Sequence, residues 1–288
     1  MRFALSEAMC DISHYLPLAK AADEAGFSVF STGDSILYPE TTSEKYPYTE
    51  SGDRSFLDDA PFIDPFQLFA AMSVVTEKLE FQTGVLKTPI RDPVLIAKMV
   101  SSLAVFTNER FVLGVGLDPW PEDFHACNAD WPSRAARMEE ILQIIPGLMT
   151  GEYFEWHSEY YDIPRIKMCP VPSKPPTMIY GGHSKPAYKR AAKFTDGFLF
   201  IGVTEEQLAE RVALLKQYRI ECGRENDPLL IAAGMPVSGI DDIRRLEEEI
   251  GVNEIHVCYR NPYMKDTMTV QEKVDWVNRF GDEVIARY

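Results

Sequence analysis

The chain has 288 residues, 45% hydrophobic and 25% charged, an ordinary globular composition. With 29 Lys and Arg against 44 Asp and Glu, the formal net charge is −15. That acidity argues against nucleic acid and anionic membrane surfaces, because both select basic patches. No run reaches the apolar length of a membrane span, so a cytoplasmic protein is expected. The five cysteines, Cys10, Cys127, Cys169, Cys222 and Cys258, include no C-x-x-C pair, which argues against a disulfide framework or a zinc site.

Short β-rich runs alternate with amphipathic helical runs along the whole chain. A first strand is predicted over 3–5 and a helix over 13–25, with Ala25-Gly26 as its stop. A second strand at 27–31 leads into a polar, charge-rich loop over 33–63. A helix near 65–75 and a strand at 79–86 follow. Pro93 opens a third helix, which ends before Asn108, and a fourth strand spans 111–116. The segment 117–132 reads as a second loop, rich in Asp, Pro and Trp, before a helix over 133–149. Residues 153–163 alternate aromatic and polar side chains, as an inserted hairpin would. Four prolines in 169–176 exclude regular structure there. The remaining units are a strand at 177–180 with a helix from Ser184, and a strand at 197–201 with a helix over 205–222. Strands at 229–233 and 254–258 precede helices over 241–250 and 269–286.

Eight βα units in succession predict an α/β fold: one closed (β/α)8 TIM barrel over 1–288, with inserted loops and a hairpin after the fourth helix. A doubly wound open sheet is the alternative, and in either case a ligand sits at the carboxyl ends of the strands.

The strand ends are therefore the places to look for chemistry. Thr32-Gly33-Asp34-Ser35 sets a carboxylate at the mouth, although an Asp there also caps turns. Thr83-Gly84-Val85 carries a glycine within a strand, which suits close backbone approach or a bulge. Gly114-Val115-Gly116 lacks the third glycine of a dinucleotide fingerprint. Gly181-Gly182-His183-Ser184 leaves a strand and starts a helix, whose free amides suit a phosphate. The histidines are scattered without ligand spacing, so no metal is expected. Trp120, Phe124 and Cys127, with Tyr38 in the earlier loop, are candidate walls of an apolar substrate pocket.

The stretch 79–116, LEFQTGVLKTPIRDPVLIAKMVSSLAVFTNERFVLGVG, resembles the core pattern of luciferase-like monooxygenases and coenzyme F420-dependent oxidoreductases. Glu122-Asp123-Phe124, Arg134 with Glu139-Glu140, Pro175-Pro176, Ile179-Tyr180-Gly181-Gly182 and Thr195-Asp196-Gly197-Phe198 extend it, as do Ala25-Gly26-Phe27 and Asp64-Pro65-Phe66. Tyr46-Pro47-Tyr48 and the Gly-Gly-His-Ser segment point to the deazaflavin branch.

The resemblance implies a small-molecule oxidoreductase that is a homodimer and binds F420, or alternatively FMN as a monooxygenase. It implies a cis peptide at Gly84-Val85 backing the ring, close approach at Thr83 and Gly116, and phosphate at Gly181, Gly182, His183 and Ser184. It also implies a deazaflavin contact from Asp34. The family often carries Asp-His after the second strand; here the pair is Asp34-Ser35, and a serine hydroxyl is a poor acid at neutral pH. Pro119 stands where the sugar-phosphate dehydrogenases of the family have a glutamate, leaving Ser35, Asp118 and Glu122 as catalytic candidates. A barrel that binds a ligand without catalysis is the reading of a different class.

Overall fold

The structure is a computed structural model that describes residues 1–46, 49 and 51–288. Pro47 and Tyr48, of the Tyr46-Pro47-Tyr48 motif, lie outside the described residues. In chain order the strands and helices are β1 (Arg2–Ser6), α1 (Tyr15–Glu24), β2 (Val29–Thr32), α2 (Pro65–Ser73), β3 (Glu80–Thr83), β4 (Leu86–Lys87), α3 (Pro93–Phe106) and β5 (Phe111–Gly116). There follow α4 (Pro121–Ala126), α5 (Arg134–Leu148), β6 (Phe154–His157), β7 (Asp162–Ile166), β8 (Met178–Gly181), α6 (Lys185–Phe194), β9 (Gly197–Ile201), α7 (Glu205–Glu221), β10 (Leu230–Gly234), α8 (Ile240–Arg245), β11 (Glu254–Val257) and α9 (Val270–Glu283).

Eight parallel strands run β1-β2-β3-β5-β8-β9-β10-β11, and β11 pairs back onto β1 to close the barrel. The expected β-hairpin is present as β6 and β7, antiparallel and outside the barrel. Helix starts follow local chemistry. Asp64 and Asp92 each cap a helix whose first residue is proline, accepting hydrogen bonds from the next two free amides. Thr204 with Gln207, and Thr269 with Glu272, form capping boxes.

Three expectations change. The strand expected at 79–86 is interrupted after Thr83; the Gly84–Val85 peptide is cis, and the chain resumes as β4 beside β5. The segment 117–132 is not all loop: Pro121 opens the short helix α4. The helix expected over 241–250 loosens into a π turn at Leu246–Ile250 before Gly251, at φ 88°, ends it.

The inside of the barrel is divided by polarity. Val112, Ile179, Leu199 and Ala232, on β5, β8, β9 and β10, form an apolar cluster. The opposite side, from β1, β3 and β11, carries Arg2, Ser6, Glu80, Gln82, Glu254 and His256, joined by hydrogen bonds. The larger core lies between strands and helices, around Phe30, Phe69, Phe81, Ile141 and Phe198. Among the described residues no helix is long and apolar enough to cross a membrane.

Candidate active site

A cavity of about 1080 Å³ opens at the carboxyl ends of the barrel strands. Gly84, Val85, Gly116, Gly202 and Gly234 bring backbone to its floor, and Leu199 and Ile201 add apolar surface. Its outer wall is aromatic. The Tyr46 ring meets Trp120 at 6.2 Å and Tyr263 at 6.4 Å, and the Arg54 guanidinium lies 4.5 Å over Tyr38 and 5.1 Å over Trp120.

Val85 accounts for two of the strand-end glycines physically. A Cβ on Gly116 would lie 2.6 Å from Val85 Cγ2, and one on Gly181 would lie 2.8 Å from Val85 Cγ1. These two glycines are adjacent across β5 and β8, so the Val85 side chain occupies the space their side chains would need.

The predicted site residues are distributed unevenly. Asp34, Ser35, Tyr38, Gly84, Val85, Gly116 and Trp120 line the cavity. Thr83 lies beneath it, fully buried, its hydroxyl donating to the Gly114 carbonyl and accepting from the Gly114 amide. Asp34 is committed to protein partners: Oδ2 accepts from Arg91 Nη1 at 2.7 Å and the Lys87 amide at 2.9 Å, and Oδ1 accepts from Arg91 Nη2 at 2.9 Å. Its part is to lock the end of β2 to the turn after β4. The Ser35 hydroxyl donates to the Leu37 carbonyl at 3.2 Å.

Asp118, Glu122, Phe124 and Cys127 are not among the cavity-lining residues. Phe124 packs edge-on against Trp131 with centroids 4.9 Å apart, which pins the loop down. Glu122 Oε1 accepts from the Ser43 amide at 2.7 Å, tying α4 to the long loop after β2. Burial raises the Cys127 thiol pKa. Asp118 is buried beside Asp123, and Lys87 reaches both carboxyl groups. Burial, then the hydrogen bond that protonated Asp118 donates to Asp123, push the Asp118 carboxyl up to about 8. Lys87 itself lines the cavity, with its ammonium held by these two carboxyl groups.

Gly181, Gly182, His183 and Ser184 also lie outside the cavity lining, one strand beyond Gly116. Ser184 caps α6, its side chain accepting from the Ala187 amide at 3.4 Å. Among the described residues no group of three or more His, Cys, Asp or Glu is placed to hold a metal ion.

Sequence reasoning passed over several cavity residues. Glu7, at the end of β1, accepts from Arg260 at 2.6 Å, from the Ala8 amide at 2.9 Å and from the Tyr259 hydroxyl, with Lys273 Nζ at 3.5 Å. Burial and the Glu7 carboxylate raise the Tyr259 pKa. His256 and Ser6 lie in the floor and hydrogen-bond each other at 3.0 Å. His256 was legible as an inward residue at a strand end; Arg91 stood in the quoted Pro89–Pro93 turn without a role.

A model of the luciferase-like monooxygenase family matches residues 4–279. An uncharacterised protein of Mycobacterium tuberculosis is 42% identical over 289 residues, covering 100% of both chains. The FMNH2-dependent dimethylsulfone monooxygenase of Pseudomonas putida is 27% identical over 147 residues, 49% of this chain and 40% of that one. Among solved structures, monooxygenase RslO1 from Streptomyces bottropensis superimposes with a TM-score of 0.81 at 15% identity, over 100% of both chains. An F420-dependent secondary alcohol dehydrogenase does so with a TM-score of 0.76 at 13% identity, over 100% of this chain and 99% of that one. The barrel, its cavity at the strand ends and the family match over nearly the whole length agree: the chain belongs to the luciferase-like monooxygenase family.

Proposed function

We propose that the protein is an oxidoreductase that exchanges a hydride between bound coenzyme F420 and a small organic substrate. The carrying observation is the cavity above Gly84–Val85, at the carboxyl ends of the strands, in a family whose members include F420- and FMN-dependent enzymes. A volume of about 1080 Å³ is at the upper end of small-molecule sites, enough for a tricyclic ring with a substrate beside it.

The residues present fit such a ring. Gly84, Val85, Gly116 and Gly202 line the cavity, Gly202 with open space where a Cβ would project, and the Val85 side chain packs against Gly116 and Gly181. Gly182 and Ser184 at the α6 N-terminus would hold a phosphate beyond the ring. The bound cofactor supplies the hydride chemistry; the protein orients it, excludes water and handles protons. Ile36, Leu37, Leu57, Phe62, Met235 and Val237 make the remaining wall apolar and favour an uncharged substrate.

The second reading is an FMN-dependent monooxygenase, favoured by the FMNH2-dependent relative. Titration of the purified protein with F420 and with FMN separates the two. Micromolar or tighter binding of F420 is expected. Tighter FMN binding with oxygen uptake by the reduced protein supports the second reading, and binding of neither cofactor defeats both, leaving a barrel that binds a ligand without redox chemistry.

A further inference from the structure

The mouth of the barrel lacks an imidazole at Ser35, yet one is present in its floor. His256 is 4% exposed and lines the cavity. Its Nδ1 meets Ser6 Oγ at 3.0 Å, and its Nε2 meets Glu254 Oε1 at 2.8 Å and the Gln82 side-chain amide at 3.2 Å. Glu254 is fully buried and accepts from Arg2 Nε at 2.9 Å, which holds it as a carboxylate. A carboxylate accepts only, so the proton on His256 belongs on Nε2. Nδ1 is then an acceptor, and the Ser6 hydroxyl donates to it. Gln82 Oε1 is buried without a donor, and turning that amide over brings the oxygen to Nε2 as a second acceptor.

The order Ser6–His256–Glu254 is therefore a hydroxyl, an imidazole and a carboxylate in sequence, with only the hydroxyl end free to meet a ligand. Ser6 also lines the cavity. It lies beside Ser31 in the register of β1 with β2, and Ser31 Oγ lies 2.6 Å from where a Cβ on Gly84 would project. The relay thus ends next to the Gly84–Val85 wall.

We propose that Ser6, His256 and Glu254 form a proton relay that takes up, and in reverse returns, the proton lost from a hydroxyl group of the substrate, a proposal that rests on the oxidoreductase reading above. In the oxidising direction the substrate O–H bond breaks and its proton passes to Ser6 Oγ, as the Ser6 proton passes to His256 Nδ1. The substrate C–H bond breaks with its electron pair, and that hydride leaves to the oxidised deazaflavin. The C–O bond becomes a carbonyl, the substrate loses two electrons and the cofactor gains them. The Glu254 carboxylate stabilises the imidazolium. A serine hydroxyl exchanges protons readily with oxygen and poorly with carbon, which assigns the alcohol–carbonyl couple as the substrate class.

Two measurements test this. In the first, 15N-histidine-labelled protein is examined by NMR, with His256 assigned through His256→Gln. The expected result is an Nε2–H tautomer whose proton lies downfield, moves upfield in Glu254→Gln, and whose Nδ1 signal shifts in Ser6→Ala. An Nδ1–H tautomer overturns the relay. In the second, F420-loaded protein is assayed with cyclohexanol, and reduced F420-loaded protein with cyclohexanone. Ser6→Ala and His256→Gln should lower kcat by roughly 10² or more, with KM and F420 affinity near wild type, while Ser6→Thr keeps most of the rate. An unchanged kcat in both variants overturns the relay alone. Absence of turnover of either probe by wild type with F420 bound overturns the alcohol–carbonyl assignment. Failure to bind F420 or FMN overturns the oxidoreductase reading, and the relay with it.

Discussion

The Arg91 guanidinium grips the Asp34 carboxylate in a two-pronged pair, Nη1 to Oδ2 at 2.7 Å and Nη2 to Oδ1 at 2.9 Å, and donates a further hydrogen bond to the Lys87 carbonyl at 2.8 Å. One side chain thus fixes the end of β2, the wall of the cavity and the turn into α3. The Asp34 side chain is 2% exposed, so removing its partner strands a buried charge. Arg91→Ala should cost about 3–5 kcal/mol in urea unfolding. Arg91→Lys should fall between it and wild type, because an ammonium cannot span both oxygens. Equal stability of Arg91→Ala and wild type would show that the pair holds nothing.

Val85 and the two glycines around it should behave as one packing unit. Gly181→Ala sets a methyl 2.8 Å from Val85 Cγ1, and overpacking of this kind costs about 1–3 kcal/mol. Val85→Ala clears that contact. The double variant should therefore recover most of the loss caused by Gly181→Ala, measured as a coupling energy in a thermal-melt cycle. Strict additivity would mean that Gly181 is glycine for another reason, such as the approach of a cofactor.

Burial, followed by Asp123, pushes the Asp118 carboxyl up to about 8 in the folded chain, from an ordinary value of 3.8. Its folded pKa is raised, so the folded state binds the extra proton. That contribution is fully present below about pH 4 and is lost as pH rises through 8. Asp118→Asn, which mimics the protonated form, should melt higher than wild type at pH 9 by about 1 kcal/mol or more, roughly 2–4 °C. At pH 5 the gap should be much smaller, because most of the window between the two pKa values lies above that pH. A gap that stays constant between the two pH values would remove Asp118 as the titrating group.

The thiols should separate by reactivity. Cys10 is fully buried, and burial followed by the Glu7 carboxylate pushes its thiol up to about 12, whereas Cys169 and Cys222 are exposed. Brief iodoacetamide treatment at pH 8, read by peptide mass spectrometry, should mark Cys169 and Cys222 and leave Cys10 unmarked. Prompt labelling of Cys10 in folded protein would mean that the β1–α9 region opens.

Sequence periodicity alone carried the barrel. Eight alternations of a short β-rich run with a longer amphipathic one have few topologies open to them, and the inserted hairpin showed in its aromatic alternation. Helix starts were legible too, because Asp64-Pro65, Asp92-Pro93 and Ser184 act on amides two or three residues away. These are local interactions, and local residues report them.

The site was legible only at the strand ends. Asp34, Gly84, Gly116 and Trp120 could be nominated because a barrel puts its ligand there. Which of them are free for chemistry depended on partners far along the chain. Asp34 is taken up by Arg91, 57 positions away, and Ser6 meets His256 across 250 positions. Asp118 and Glu122 were close to the mouth in sequence, yet Asp118 is buried beside Asp123 and Lys87, and α4 carries Glu122 to Ser43 rather than the cavity. Sequence by itself determined the order of elements, their caps and the end of the barrel that bears the site, because each follows from short-range periodicity and hydrogen bonding. Only the tertiary structure decided which polar groups are paired and which face the cavity, because closing the barrel joins β11 to β1 and places an imidazole from one end of the chain against a hydroxyl from the other.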